Sequence, residues 1–342
     1  MPTISICIPT FNRAALLIEL LDSIVAQNMN QVEVVVSDDA STDDTAQVLA
    51  RYGSRLPRFR YMRQPCNLGV DRNVAAVTAA ATGDYVWLVG DDDRIEPGGI
   101  RRVMEALERW PDTVALTVGV IDYDRLMQGI TGIRPMPETQ TFSGAGAAFS
   151  RIAELLGYIS ATLVKRDAWQ VAAADPRARA MDNLYSPVFI AGLAVGARGT
   201  WGVVREPCVG FRSGNDQLKR RVGWLERLRI DVRGYDEIAA MLFPHDPKVR
   251  RAAARRIFDT HVIARIVNAK ACGETRGDTL QAAAYLIRRY AAQPRLWTLA
   301  LPLLLAPGRT VRALRHAYQR VLPCSGARRA HRLTLQRAQP AA

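Results

Sequence analysis

Three consecutive carboxylates, Asp91-Asp92-Asp93, follow directly on the apolar run Tyr85-Val86-Trp87-Leu88-Val89 and a flexible Gly90. Three negative charges side by side at a strand end repel one another unless a cation neutralises them, and hard oxygen donors suit Mg²⁺ or Mn²⁺. A divalent ion held there would bridge to a diphosphate. Two other polar clusters have the same setting. Pro9-Thr10-Phe11-Asn12-Arg13 follows the apolar Ser5-Ile6-Cys7-Ile8, and Asp38 to Asp44 follows the β-branched run Val32 to Val36. A carboxylate can accept from the ring N–H of a pyrimidine, and a guanidinium can hold phosphate oxygens in pairs. Taken singly, these residues read equally well as an acidic turn, a set of helix caps and a surface arginine.

Their chemistry depends on the elements that carry them. The runs at 5–8 and 32–36 read as buried strands that stop in polar loops, and between them Leu16, Leu17, Leu20, Leu21 and Ile24 recur at helical spacing, which makes a β-α-β unit. A second helix starts after the capping residues Ser41 to Asp44. A strand near 59–62, a helix over 73–81 and a strand over 85–89 continue the alternation expected of an α/β protein with a mainly parallel, doubly wound sheet. Ligands of such sheets sit beyond the carboxyl ends of the strands, so the three clusters should converge on one crevice. Further on, strands are expected at 114–121 and 160–164 and helices at 144–156 and 184–194.

Four segments together, Ile6 to Arg13, Val34 to Asp43, Asn67 to Asn73 and Thr82 to Asp93, resemble the family 2 inverting glycosyltransferases of GT-A fold in order and spacing. The likeness is strong over residues 3–100 and weaker over 100–215, and it leaves the C-terminal third unexplained. It implies transfer of a sugar, with inversion, from a nucleoside-diphosphate sugar to a hydroxyl of a lipid-linked saccharide, as in bacterial surface-polysaccharide assembly. A UDP-sugar is the default donor and Mg²⁺ or Mn²⁺ the cofactor. By resemblance, Pro9, Thr10, Asn12 and Arg13 line the nucleotide pocket, Asp39 bonds the base, and Arg72 lies near the base or diphosphate. Asp91 falls near the ribose, and Asp92 and Asp93 are the alternatives for the metal ligand. Many members begin the acidic motif with Asp, where this chain has Gly90 or Asp91 depending on the alignment. The family's general base corresponds to Asp182, in Ala180-Met181-Asp182-Asn183-Leu184, with Met181 where a Glu is usual. An N-cap on the following helix accounts for Asp182 equally well. Lys165 and Arg212 match later family positions loosely and stand as candidate acceptor or phosphate contacts.

The composition of the 342 residues, 49% hydrophobic and 23% charged, is that of a folded globular protein. The net charge of +13 is unevenly placed: 19 Lys/Arg face 23 Asp/Glu up to residue 200 (−4), and 27 face 10 after it (+17). The C-terminal third therefore suits an anionic partner. A membrane surface fits better than nucleic acid, since the arginines lack interleaved aromatics for base stacking. Helices are expected at 249–271 and 279–291. The apolar run 296–306, interrupted by Pro302, is too short for a span of about 20 residues. With 309–322, whose Val311, Leu314, Tyr318 and Val321 fall on one helical face, it suits an interfacial attachment, the alternative being a packed subdomain with solvated arginines. The expected organisation is a catalytic domain over 1–220, with a nucleotide-sugar part (1–100) and an acceptor part (100–220), a basic helical region over 221–324 and a disordered tail over 325–342. No signal-peptide pattern opens the chain, and the five cysteines show no disulfide or metal spacing. The expected location is the cytoplasmic face of the inner membrane, with peripheral attachment.

Other signatures fail. Gly144 to Phe149 imitates a dinucleotide fingerprint without a β-α-β frame, no phosphate loop occurs, and the four histidines lack zinc spacing. Two alternative readings remain open, a non-catalytic module of the same fold and a sugar nucleotidyltransferase. The latter would need a glycine-rich N-terminal loop, and residues 9–13 contain no glycine.

Overall fold

The computed structural model describes residues 1–181, 183–275 and 277–325, so Asp182 and the expected tail lie outside the described residues. The chain divides into two compact units, one built from 1–148 and 155–213 and the other from 149–154 and 214–325.

The first unit begins with β1 (Ile4–Thr10), α1 (Ala14–Val25), β2 (Val32–Asp38), α2 (Thr45–Tyr52), β3 (Phe59–Arg63), α3 (Val70–Ala79) and β4 (Tyr85–Leu88). Here the alternation expected from the sequence holds, and β3, β2, β1 and β4 lie side by side, all parallel. Strands in such a block are covered on both faces, which is why β1 and β2 are almost continuously apolar and buried. On one face α1 buries Leu17, Leu20, Leu21 and Ile24.

After β5 (Arg94–Ile95), α4 (Gly99–Arg109), β6 (Thr113–Tyr123), β7 (Ile130–Ile133), β8 (Gln140–Ser143) and α5 (Ala145–Leu156) come β9 (Thr162–Lys165), α6 (Arg166–Ala173), α7 (Pro176–Arg179), α8 (Ser186–Val195) and β10 (Thr200–Arg212). The sheet order is β3-β2-β1-β4-β9-β6-β10-β5, with β7 on β6 and β8 on β10. β6 and β10 form a second parallel pair, but β9, wedged between β4 and β6, runs against both. Two parallel blocks are thus joined through one reversed strand. β10 is long and carries Pro207, which has no N–H for the ladder; the register with β6 shifts on either side of it. Trp87 and Trp201 are fully buried, and their indole N–H groups donate to Ser160 O (2.8 Å) and Thr117 Oγ1 (2.9 Å).

The second unit is helical: α9 (Gln217–Val222), α10 (Trp224–Leu242), α11 (Pro247–Ile257), a π-helical turn at Phe258–Val262, α12 (Ile263–Cys272), α13 (Thr279–Tyr290), a second π turn at Leu296–Ala300, α14 (Leu301–Leu305) and α15 (Gly308–Ser325). Its core contains Trp224, Leu228, Phe258, Ile266, Leu286, Leu296 and Leu304. The apolar run after residue 295 is therefore mainly core. The face proposed from the sequence also divides, because Val311 is 1% exposed and Leu314 59%. The cause is packing of α15 on α12, which takes Val311 inward. The side chains of Tyr318 and Val321 lie outside the described set. Among the described residues no helix is long and apolar enough to cross a membrane.

Candidate active site

Parallel register brings the first three clusters together. Thr10 pairs with Asp38 across β1 and β2, and Cys7 with Leu88 across β1 and β4, so the loops after all three strands leave the sheet on the same side. Asn12 sits at φ 53°, a left-handed conformation that Asn tolerates better than most residues. From there its N–H donates to Ser41 Oγ (2.8 Å) and its Oδ1 accepts from Thr42 N–H (2.8 Å), which joins the first loop to the second. Asp39, assigned to the base by resemblance, accepts from Leu68 N–H (2.7 Å) and Gly69 N–H (2.9 Å). It fixes the turn into α3, where Gly69 takes φ 84°. Arg72 lies exposed on the first turn of α3, and the buried Asn73 beside it donates to Ser37 O (3.0 Å). Pro9 is half-buried near the end of β1.

The acidic triad has three different environments. Asp91 is buried; Thr10 Oγ1 donates to its Oδ2 (2.8 Å) and Arg13 Nη1 to its Oδ1 (2.7 Å). Asp92 is the most open, with a side chain 20% exposed and Oδ2 3.4 Å from Arg13 Nη1. Asp93 turns inward, where Ser160 Oγ donates to it (2.6 Å) while accepting from Gly90 N–H (2.9 Å). Gly90 leaves close room for these carboxylates: a Cβ there would stand 3.0 Å from Asp93 Oδ2 and 3.3 Å from Asp92 Oδ1. The substitution noted in the motif thus belongs to the packing of the acids themselves.

Burial pushes the Asp91 carboxyl up to about 6, with the nearby Asp92 charge adding and Arg13 opposing. Burial, reinforced by Asp92, pushes Asp93 up to about 7. On Arg13, burial alone would lower the guanidinium's pKa, and Asp91 and Asp92 more than offset it. Arg13 is shared by Asp91 and Asp92, and Arg134, whose charge also acts on Asp93, is paired with Asp122 (2.8 Å), so the three carboxylates would take up a cation or protons readily.

Two expected contacts move elsewhere. Arg212 is 3% exposed, and its guanidinium donates to Asp92 O (2.8 Å), Arg125 O (2.8 Å) and Glu19 Oε2 (2.7 Å). It braces the acidic loop through these three acceptors. Lys165 pairs with Tyr85, at the start of β4, the end of the sheet opposite to the triad. The reversed direction of β9 is the reason. Asp182 lies outside the described residues, but the chain just after it is tied to the crevice: Ser186 Oγ donates to Asp71 Oδ1 (3.2 Å), next to Arg72. Sequence reasoning missed Ser160 and Asn73 as organisers; neither a lone Ser in the turn before a strand nor an Asn in a helix carries a signal of that role.

This geometry can be set beside known proteins. The family model described as glycosyl transferase family 2 matches residues 5–149. Abequosyltransferase RfbV of Salmonella typhimurium is 30% identical over 271 residues, which cover 73% of this chain and 78% of that one. The GalNAc(5)-diNAcBac-PP-undecaprenol beta-1,3-glucosyltransferase of Campylobacter jejuni is 34% identical over 106 residues, 31% of this chain and 34% of that one. Among solved structures, S. aureus TarS 1-349 in complex with UDP matches with a TM-score of 0.57 at 18% identity, covering 94% of this chain and 90% of that one, a likeness of fold. The matched family region, the identity to RfbV over most of both chains and the shared fold together make this chain a member of glycosyl transferase family 2.

Proposed function

We propose that the protein transfers a sugar, with inversion, from a nucleoside-diphosphate sugar to a hydroxyl of a lipid-linked saccharide presented at an anionic membrane surface, and that a divalent cation assists. The observation that carries this reading is the convergence of Thr10, Arg13 and the three aspartates at the ends of β1 and β4, with Asp91 and Asp93 both shifted towards the protonated form by burial. The donor set fits Mg²⁺ or Mn²⁺, being hard carboxylate oxygens with uncompensated charge. Among the described residues no group of three His, Cys, Asp or Glu side chains is arranged to hold a metal ion by itself. Asp92, the open carboxylate, would hold it, and Asp93 would support it from the buried side. When bound, the cation offsets the charge that develops on the departing diphosphate.

The chain's own residues do the rest. Arg13 and Arg72 flank the crevice as cations for the diphosphate, and Thr10 and Asp91 fix Arg13. The loop around Asn12 and the turn fixed by Asp39 shape the nucleotide side. Asp182 takes the proton of the attacking hydroxyl as it displaces the diphosphate at the anomeric carbon. The Ser186–Asp71 bond, which holds the adjoining loop to the crevice, supports that role. The relatives support the substrate classes: TarS 1-349 is seen in complex with UDP, and the Campylobacter enzyme's name contains a diphosphate-linked undecaprenol.

The test is diphosphate release from a panel of nucleoside-diphosphate sugars with Mn²⁺ or Mg²⁺ and polyprenyl-diphosphate saccharides as acceptors. Cation-dependent turnover that disappears in Asp92→Ala supports the proposal; turnover indifferent to both cation and variant sinks it.

A further inference from the structure

The second unit carries a surface with its own chemistry. Along the helical stretch 296–305, Leu296, Ala300 and Leu304 are fully buried at a spacing of four, while Trp297 is 51% and Leu305 64% exposed, with Pro302 exposed between them. The first helical turns of α15 continue the pattern: Val311 goes inward, and Arg309, Arg312 and Leu314 stay out. The indole N–H of Trp297 already donates to Ala291 O (2.9 Å), so its polar edge is satisfied and the ring face is left to an outside medium.

Along this part of the sequence the charge has one sign. From residue 279 to the end the sequence holds eleven arginines and no Asp or Glu. Arg295 is used internally, paired with Asp259 (2.8 Å), whereas Arg309 and Arg312 are exposed and stand between Leu305 and Leu314 in the sequence. Exposed Trp and Leu beside arginines match the boundary of an anionic bilayer, where amphipathic rings lie at headgroup depth and arginines meet lipid phosphate. We infer that this face, centred on Trp297, Leu305 and Leu314 with Arg309 and Arg312, seats on the surface of an anionic lipid bilayer. The inference rests on the membrane-linked acceptor reading of the preceding subsection and gives it a site of contact. It differs from the apolar anchor expected from the sequence, because most of that run is core and only its outward stripe is available.

The experiment is co-sedimentation of the full chain, without donor or acceptor, with vesicles of phosphatidylcholine alone or with phosphatidylglycerol added. Two variants accompany the wild type: Trp297→Ser/Leu305→Ser/Leu314→Ser and Arg309→Gln/Arg312→Gln. Wild type should partition onto the phosphatidylglycerol vesicles and hardly onto phosphatidylcholine. Each arginine near an anionic surface accounts for about a five-fold factor, so the double variant should lose about 25-fold. The serine variant should lose on the order of ten-fold or more. If thermal melting shows that the serine variant does not fold, the arginine variant decides, since both of its positions are exposed. Equal binding to neutral vesicles, unchanged binding in the variants, or binding to RNA or inorganic polyphosphate without vesicle binding would overturn the inference. Donor cleavage assayed separately, with no membrane, shows whether the transferase reading survives such a result.

Discussion

Both units bury carboxylates against arginines, and they do so to opposite ends. In the second unit Asp231, fully buried, lies between Arg227 and Arg265, the latter 2.9 Å away, and Asp216 meets Arg265 (2.8 Å) and Arg227 (3.3 Å) while accepting from Lys219 N–H. Burial pushes Asp216 up, yet Lys219 N–H, Arg265 and Arg227 more than offset it and hold it below the usual carboxylate range. This cluster balances its charge and acts as a clasp between α9, α10 and α12. In the first unit Asp91 and Asp92 share Arg13, while the guanidinium of Arg212 is spent on Asp92 O, Arg125 and Glu19. There burial raises the carboxyls of Asp91 and Asp93. Buried charge that the fold leaves unbalanced points to a ligand, whereas balanced charge points to architecture.

The comparison is most severely tested at Asp231. Asp231→Ala would leave Arg227 and Arg265 to share Asp216 alone, and should lower stability by about 3–5 kcal/mol in chemical denaturation. A loss below about 1 kcal/mol would mean that the clasp contributes little. Asp92→Ala should do the reverse, lowering turnover on the order of 10²–10³-fold while the melting temperature barely moves. Asp39→Ala removes the acceptor of Leu68 and Gly69 N–H, and should cost about 1–3 kcal/mol locally, read as faster hydrogen exchange at those two amides.

Acidity separates the units further. A carboxyl whose folded pKa is raised contributes stability that is complete below the unfolded value near 4 and is lost as pH rises through the folded value. For Asp91 the loss runs from about pH 4 to about 6, and for Asp93 from about 4 to about 7. Without a divalent cation, stability should fall from pH 5 to about pH 7 by up to about 1.4 kcal/mol per pH unit for each titrating group and level off above it, and excess Mn²⁺ should flatten the fall. Asp216, whose folded value is depressed, loses its contribution only as pH drops below about 4, outside that range. A flat profile between pH 5 and 8 would contradict the unbalanced-charge account. The smallest effect belongs to Lys165→Ala, which should leave kcat/KM within about two-fold because the side chain lies at the opposite end of the sheet.

The difference between what was readable and what was not follows the same division. β1, β2 and β4 are apolar runs closed by polar loops, and their parallel order follows from the helices between them, so the meeting of Thr10, Arg13 and the aspartates was legible. The direction of β9 was not, since four residues, Thr162 to Lys165, say nothing about orientation. β10 escaped because Pro207 and the polar pair Arg205-Glu206 interrupt its pattern, while the register shifts that accommodate them are tertiary. Arg212 was singled out by position, but its brace on Asp92 O and Glu19 depends on residues far away in sequence. The apolar run after residue 295 looked like a surface feature because periodicity gives which residues share a face, and packing decides where the face points.

The most direct test of the central claim is Mn²⁺ binding, followed by electron paramagnetic resonance of the free ion, in the presence of UDP, CDP, GDP or dTDP, for wild type and Asp92→Ala. The account predicts that at least one diphosphate makes the wild type take up Mn²⁺ at pH 8, less so at pH 5, and that Asp92→Ala loses this uptake. Uptake that is equal in the variant, or absent from the wild type with every diphosphate, would contradict it.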